Sequence, residues 1–234
     1  MSGNRYKRSV LKRMRDARGF SMLELAMVMG VILIVSAIAI PQFTNMQHVF
    51  RLRGAATDFA GLVQAQRVQA IDDDRYYSTY ILAGNGNNPQ MAFVDMLPRN
   101  PNGTSGSGGQ TYACSQVGCD PSVIVASEVV QRPAAAAPNT GNLQAQLLPV
   151  NSPVVPQDGG AAGTPITFGP RGLPCIPVVV TGATVCDSLG GPAAYWIFFQ
   201  DSVTQNWTAV TVTPAGRVRR WLYTGGAGGT WTSY

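Results

Sequence analysis

Two arginines one residue apart, Arg217 and Arg219 in Gly216-Arg217-Val218-Arg219, are the sharpest candidates for binding chemistry in this chain. Residues two apart in an extended strand share a face, so their guanidinium groups project together. A guanidinium is a planar fork of donors that suits phosphate better than an ammonium does. Trp221 continues the same alternation and could stack on a base. Arg220 falls on the opposite side with Val218 and Leu222. The plainer reading is a strand face of solvated arginines or a contact between subunits. Two or three phosphate contacts alone would give weak, salt-sensitive affinity.

A second candidate lies at the other end. Glu24 sits just ahead of the apolar run Leu25–Ile40, and no further charge follows until Arg51. A carboxylate inside a membrane costs roughly 2.5–3.5 kcal/mol on insertion scales, so its presence asks for a partner. Gly19, a small residue, precedes the run at Gly19–Phe20. A secretory signal places its cleavage site after the apolar run and loses that run. Cleavage at Gly19 would instead leave the helix on the mature protein.

Four cysteines fall in two close pairs, Cys114 with Cys119 and Cys175 with Cys186. With export expected, the even count points to two local disulfides. Free thiols and a metal are the alternatives. The metal reading lacks a ligand cluster, because the single histidine, His48, is distant in sequence. Asp72–Asp74 invite a calcium reading, but no EF-hand-like spacing follows, and a solvated helix end is favoured. No GxSxG, HExxH or P-loop pattern occurs, and no cofactor is expected. An enzyme is therefore not the expected class.

Composition sets the frame for these residues. Of 234 residues 45% are hydrophobic and only 12% charged, with 26 Gly and 16 Pro. The charged share is about half the ~25% of ordinary soluble domains. The formal charge of +5 is unevenly placed. Residues 1–19 hold seven basic residues against Asp16, a net of +6; the remainder holds ten basic and eleven acidic residues, a net of −1. Whole-body attraction to nucleic acid is thus not supported, because the positive charge belongs to the first nineteen residues, and any such binding must be local.

The elements follow from periodicity. From Phe20 the apolar stretch is long enough to cross a hydrocarbon core of ~30 Å. The preceding positive charge keeps the leader cytoplasmic and exports the rest. Pro41 predicts a kink or local melting. Leu52, Ala55, Ala56, Phe59, Leu62, Val63 and Ala70 recur at helical spacing, so the helix continues amphipathically to about Ile71. Strands are expected at Tyr76–Ala83, Gln90–Leu97, Ile166–Phe168, Ile176–Thr181, Ala194–Phe199, Trp207–Thr213 and Arg217–Tyr223. The last three read as an antiparallel meander. Stretches 98–110 and 133–163 read as loops. The predicted organisation is a leader (1–19), a transmembrane segment (20–41), an amphipathic segment (42–75) and a β-rich domain (76–234), an α+β fold.

The segment RGFSMLELAMVMGVILIVSAIAIP resembles the processing signal of type IV pilins and type II secretion pseudopilins, through Gly19, Phe20, Glu24 and Pro41. The resemblance implies cleavage after Gly19 by a prepilin peptidase, N-methylation of Phe20, and pairing of Glu24 with the amino terminus of a neighbouring subunit. LRGAATDFAGLVQAQRVQAI, ITFGPRGLP and TVTPAGRVRRW are similar to segments of the GspH/FimT group of minor pilins. That group implies a type IV pilin-like fold, filament assembly with major and minor pilins, and a single pass through the bacterial inner membrane with a periplasmic body. In the FimT branch a GRxR motif implies DNA binding during uptake, which makes DNA the alternative partner. An unrelated single-span exported protein is the remaining alternative. The Pro/Ala/Gly-rich stretches depart from the compact family pattern.

The processing site is directly measurable. In cells with an active prepilin peptidase, the intact mass is expected to correspond to a chain beginning at Phe20 and carrying one added methyl group. Recovery of only the unprocessed chain would favour the unrelated exported protein.

Overall fold

The computed structural model describes residues 20–74, 76–82, 91–97, 122–159, 165–180, 183–186 and 193–234. Helix α1 (Met22–Asp72) is a single element of 51 residues. Residues up to Met46 form one compact unit, and Gln47–Tyr234 form a second.

The first unit carries the apolar half of α1. Its most apolar eighteen residues reach a mean hydropathy of 2.6, and none of that window is buried. By length and composition this helix can cross a membrane. Pro41 lies inside it, and the helix runs unbroken, so the local melting predicted there is absent. A proline removes one donor to the carbonyl four residues back, while the flanking turns keep theirs. Thr44 Oγ1 donates to Pro41 O at 2.9 Å.

In the second unit α1 is amphipathic as its spacing requires. Leu52, Ala56, Phe59, Leu62, Val63 and Ala70 are buried in one core cluster. The helix ends at Asp72, and Asp74 follows with φ +53. Tyr77 Oη donates to Asp73 Oδ2 at 2.5 Å, so this acidic stretch serves as a helix end.

The strands are β1 (Tyr76–Leu82), β2 (Met91–Leu97), β3 (Ser122–Ile124), β4 (Val129–Arg132), β5 (Pro156–Asp158), β6 (Ile166–Phe168), β7 (Pro174–Cys175), β8 (Pro177–Val180), β9 (Ala183–Cys186), β10 (Ala194–Asp201), β11 (Trp207–Val212), β12 (Val218–Thr224) and β13 (Thr230–Ser233). One sheet has the order β3-β2-β1-β6-β7, and a second has β13-β12-β11-β10-β4. β5 adds to β10 in parallel, and β8 with β9 forms a separate hairpin. β10, β11 and β12 form the antiparallel meander expected from the sequence. The fold is α+β, a long amino-terminal helix packed on antiparallel sheets.

Strand β10 shows why its sequence is an unbroken apolar run. Tyr195, Ile197 and Phe199 face the core under α1, while Trp196 and Phe198 face a second cluster on the opposite side. A strand covered on both faces has no reason to alternate with polar residues. Phe59 meets Phe199 edge-on at 5.4 Å between ring centroids. Removal of such a side chain costs about 3–5 kcal/mol in buried sites.

The stretch predicted as a loop over 133–163 is partly ordered structure. It contains a 3₁₀ turn (Ala134–Ala136), helix α2 (Thr140–Leu147) and β5. Leu143 packs in the aromatic cluster of Trp196, Phe198, Trp221, Tyr223 and Trp231, and Leu147 is also buried. The alanines, prolines and glycines conceal a short helix that needs only a few apolar anchors. Trp231 Nε1 donates to Pro138 O at 2.9 Å, and Asn139 Nδ2 donates to Gly229 O at 2.6 Å. The stretch thereby covers the face of the meander that α1 leaves open. The 98–110 loop lies outside the described residues.

Cys175 and Cys186 are disulfide-bonded, with Cα atoms 5.4 Å apart. The bond ties β7 to the end of the β8–β9 hairpin. Cys114 and Cys119 lie outside the described residues.

His48 Nδ1 lies 3.0 Å from Asp201 Oδ2, and the Asp201 side chain is fully buried. Burial by itself would push the Asp201 carboxyl up. The amide N–H groups of Thr204 and Val203, and then His48, outweigh it and hold the carboxyl below the usual aspartate range. The stabilisation is therefore complete above the ordinary aspartate pKa of about 3.9 and is lost as pH falls through the lower folded value. Asp201→Asn is expected to destabilise the chain at neutral pH. The difference in urea midpoint from wild type should shrink as pH drops below about 4. A difference that stays constant down to strong acid would remove this assignment.

Candidate functional site

The candidate site is assembled where α1 crosses the turn before β12. Thr213 begins that turn. Gly216 N donates to Thr213 O at 2.8 Å, Thr213 N donates to Arg217 O at 2.9 Å, and Arg217 N donates to Thr213 Oγ1 at 3.1 Å. Gly216 has φ +75, a left-handed value that a side chain disfavours. A Cβ there would stand 2.6 Å from the carbonyl oxygen of Gly172. Glycine is therefore required at this point for two separate reasons.

Arg67 of α1 holds the turn. Its Nε donates to Gly172 O and its Nη1 donates to Gly216 O, each at 3.0 Å. Gly172 belongs to the β6–β7 turn and also has positive φ, +67. The three segments singled out by resemblance thus meet at one guanidinium: Arg67 from the helix, Gly172 from ITFGPRGLP, and Gly216 from TVTPAGRVRRW. The adjacent residue, Gln66, performs a similar task in the core. Its Nε2 donates to Tyr77 O at 2.5 Å and to Ile166 O at 2.8 Å, and its Oε1 accepts from Thr79 Oγ1. A buried amide with all these partners ties α1 to adjacent strands β1 and β6.

Arg217 is exposed and Arg219 is partly exposed. Neither forms an ion pair among the described residues. Both line an open groove of about 550 Å³ with Gln64, Arg67 and Val218. A neighbouring groove of about 430 Å³ shares Gln64, Val218 and Arg219 and adds Thr57, Arg220 and Tyr234. The two form a continuous seam between α1 and β12. Arg220 reaches α1. Its Nη1 donates to Thr57 Oγ1 at 2.8 Å, and its guanidinium lies 5.2 Å from the Tyr234 ring centroid. Arg53 approaches the same ring at 5.5 Å.

The base-stacking role assigned to Trp221 does not survive. Trp221 is only 2% exposed and packs in the aromatic cluster under α2. Its Nε1 donates to Thr211 Oγ1 at 2.8 Å. Alternation correctly put Trp221 on the face of Arg219, but that face is covered from residue 221 onward. What remains is a cationic seam without a free tryptophan, suited to the charge of an anion rather than to stacking.

Sequence reading missed Arg67 and Gln66. Gln66 left a usable signal, because it is a polar residue four positions after Leu62 and four before Ala70, on the core-facing side. Arg67 left none. Gly19 lies outside the described residues. Phe20 and Glu24 are described, in the apolar unit, where Phe20 is exposed.

No protein-family model, curated protein or solved structure matches this chain.

The glycine requirement is testable against a control in the same protein. Gly216→Ala is expected to destabilise the chain by about 1–3 kcal/mol, from positive φ and the close carbonyl. Gly61→Ala is mid-helix with open space around it and should stabilise by up to about 1 kcal/mol. Thermal melts of both variants check the pair, and equal melting temperatures would refute the steric account.

Proposed function

We propose that this chain is a minor pilin or pseudopilin of the GspH/FimT group, a low-copy subunit of a type IV pilus or type II secretion pseudopilus. Its work is filament assembly and contact, in pilus biogenesis or protein secretion, and not catalysis. One observation carries the reading: α1 is a single helix whose first half has no apolar cover among the described residues, while its second half is the core of a folded body. Such a helix must be covered by lipid before assembly and by other helices after it. Glu24 is the carboxylate of that uncovered half. In a packed filament it would be compensated by the amino terminus of a neighbour, because an unpaired charge in that environment is costly. The α+β body with its antiparallel meander is compatible with a pilin-like fold.

A second reading, a receptor for DNA during uptake, is favoured by the seam of Arg217 and Arg219, which form no ion pair among the described residues. With Trp221 buried, that receptor would read phosphate charge and not base identity.

Glu24→Gln tests the first reading. It should leave membrane insertion unchanged and remove the chain from the sheared filament fraction, with a loss of at least about tenfold expected for an unpaired partner charge. Undiminished recovery of the variant in filaments would overturn the role given to Glu24. Absence of the wild-type chain from every filament fraction would overturn the pilin reading itself.

A further inference from the structure

We propose that Arg67 is a positioning residue that joins two turns into one anion-binding site, and that Arg171 is a third arginine of that site with Arg217 and Arg219. This rests on the reading of the α1–β12 seam as a polyanion site.

The geometry is that of a clamp. One guanidinium donates to the carbonyls of both Gly172 and Gly216, at 3.0 Å each. Both donors point at backbone, so Arg67 lines the groove while part of its hydrogen-bonding capacity is already used. Its charge is present at the site, but its fork is directed at the protein. The two glycines are in contact through backbone, since a Cβ on Gly216 would meet Gly172 O at 2.6 Å. Arg171 immediately precedes one clamped glycine, and Arg217 immediately follows the other. Arg171 is exposed and has no ion pair among the described residues. The β6–β7 turn that carries it is itself tightly closed, with Gly172 N donating to Gly169 O at 2.8 Å.

A lysine cannot replace this clamp. An ammonium is a point donor without the fixed fork that reaches two carbonyls at once. Arg67→Lys therefore keeps the charge of the seam and removes its geometry. A residue that merely contributed charge would tolerate the change.

The experiment uses the full chain in non-ionic detergent and a duplex DNA of mixed sequence, with affinity measured over a range of salt. The basic leader contributes equally to every variant and cancels in comparisons. Each phosphate contact contributes about 0.9 to the slope of log affinity against log salt. Arg171→Ala is expected to lower the slope by about 0.9, as is Arg217→Ala. Arg67→Lys is expected to weaken binding by at least as much as Arg217→Ala does, although net charge is unchanged. An unaltered slope in Arg171→Ala overturns its place in the site. Wild-type affinity in Arg67→Lys overturns the clamp.

A second readout does not need DNA. Arg67→Lys should speed tryptic cleavage after Arg171 and Arg217 by about tenfold, because cleavage follows the population of the opened turn. Unchanged cleavage also overturns the clamp. If the Arg217→Ala/Arg219→Ala double variant binds DNA as wild type does, the polyanion reading fails and Arg171 loses its proposed ligand. The clamp is then judged on proteolysis alone.

Discussion

The body of this protein depends on burial of one face of α1 between two sheets that do not pair with each other. Phe59 packs edge-on to Phe199 of the meander sheet, while Gln66, two turns further on, hydrogen-bonds into β1 and β6 of the other sheet. The helix is therefore the element that joins the two sheets through a common core. Ala55, Ala56 and Ala60 are buried on that face within the same core. The same helix supplies Arg67, one residue on from Gln66, to fix two surface turns. Core and candidate site are thus set by adjacent residues of one helical turn.

The polar contacts are concentrated where the apolar core cannot specify geometry. Apolar burial is non-directional and tolerates sliding of a helix along a sheet. Gln66 and Arg67 are directional, and both end on backbone carbonyls, which have fixed positions. His48 with Asp201 adds a third such contact, near the start of the folded unit. These three contacts lie along α1 at its beginning and end within the body. Together they set the axial register of the helix, which in turn sets where the seam opens beside β12.

Much of the fold was legible because its signals are local. The helical spacing of Leu52 through Ala70 and the end at Asp72 needed no tertiary information, and neither did the β10–β11–β12 meander. The cysteine spacing pointed to the Cys175–Cys186 bond. The stretch after Pro133 was misread because alanine and glycine carry little periodic signal, and the burial of Leu143 depends on an aromatic face built from distant strands. Strands β5, β7 and β13 are short and take their identity from the neighbours they pair with. Trp221 was placed on the correct face, but whether that face is open depends on α2, about eighty positions earlier in the chain.

The sequence alone determined the apolar helix with its lone carboxylate, the basic stretch 1–19 that accounts for the positive charge, and the α+β class. Each is set by residue type and spacing along a single segment, which is where hydropathy and periodicity act. Only the tertiary structure decided that the Gly216 turn is clamped by Arg67 against Gly172, that Arg217 and Arg219 form no ion pair among the described residues and line an open seam, and that Trp221 is closed off. Those outcomes come from contacts distant in sequence, where a side chain's role depends on what covers it. The physical reason is that propensity belongs to a segment, whereas burial and hydrogen-bond partnership belong to the assembled fold.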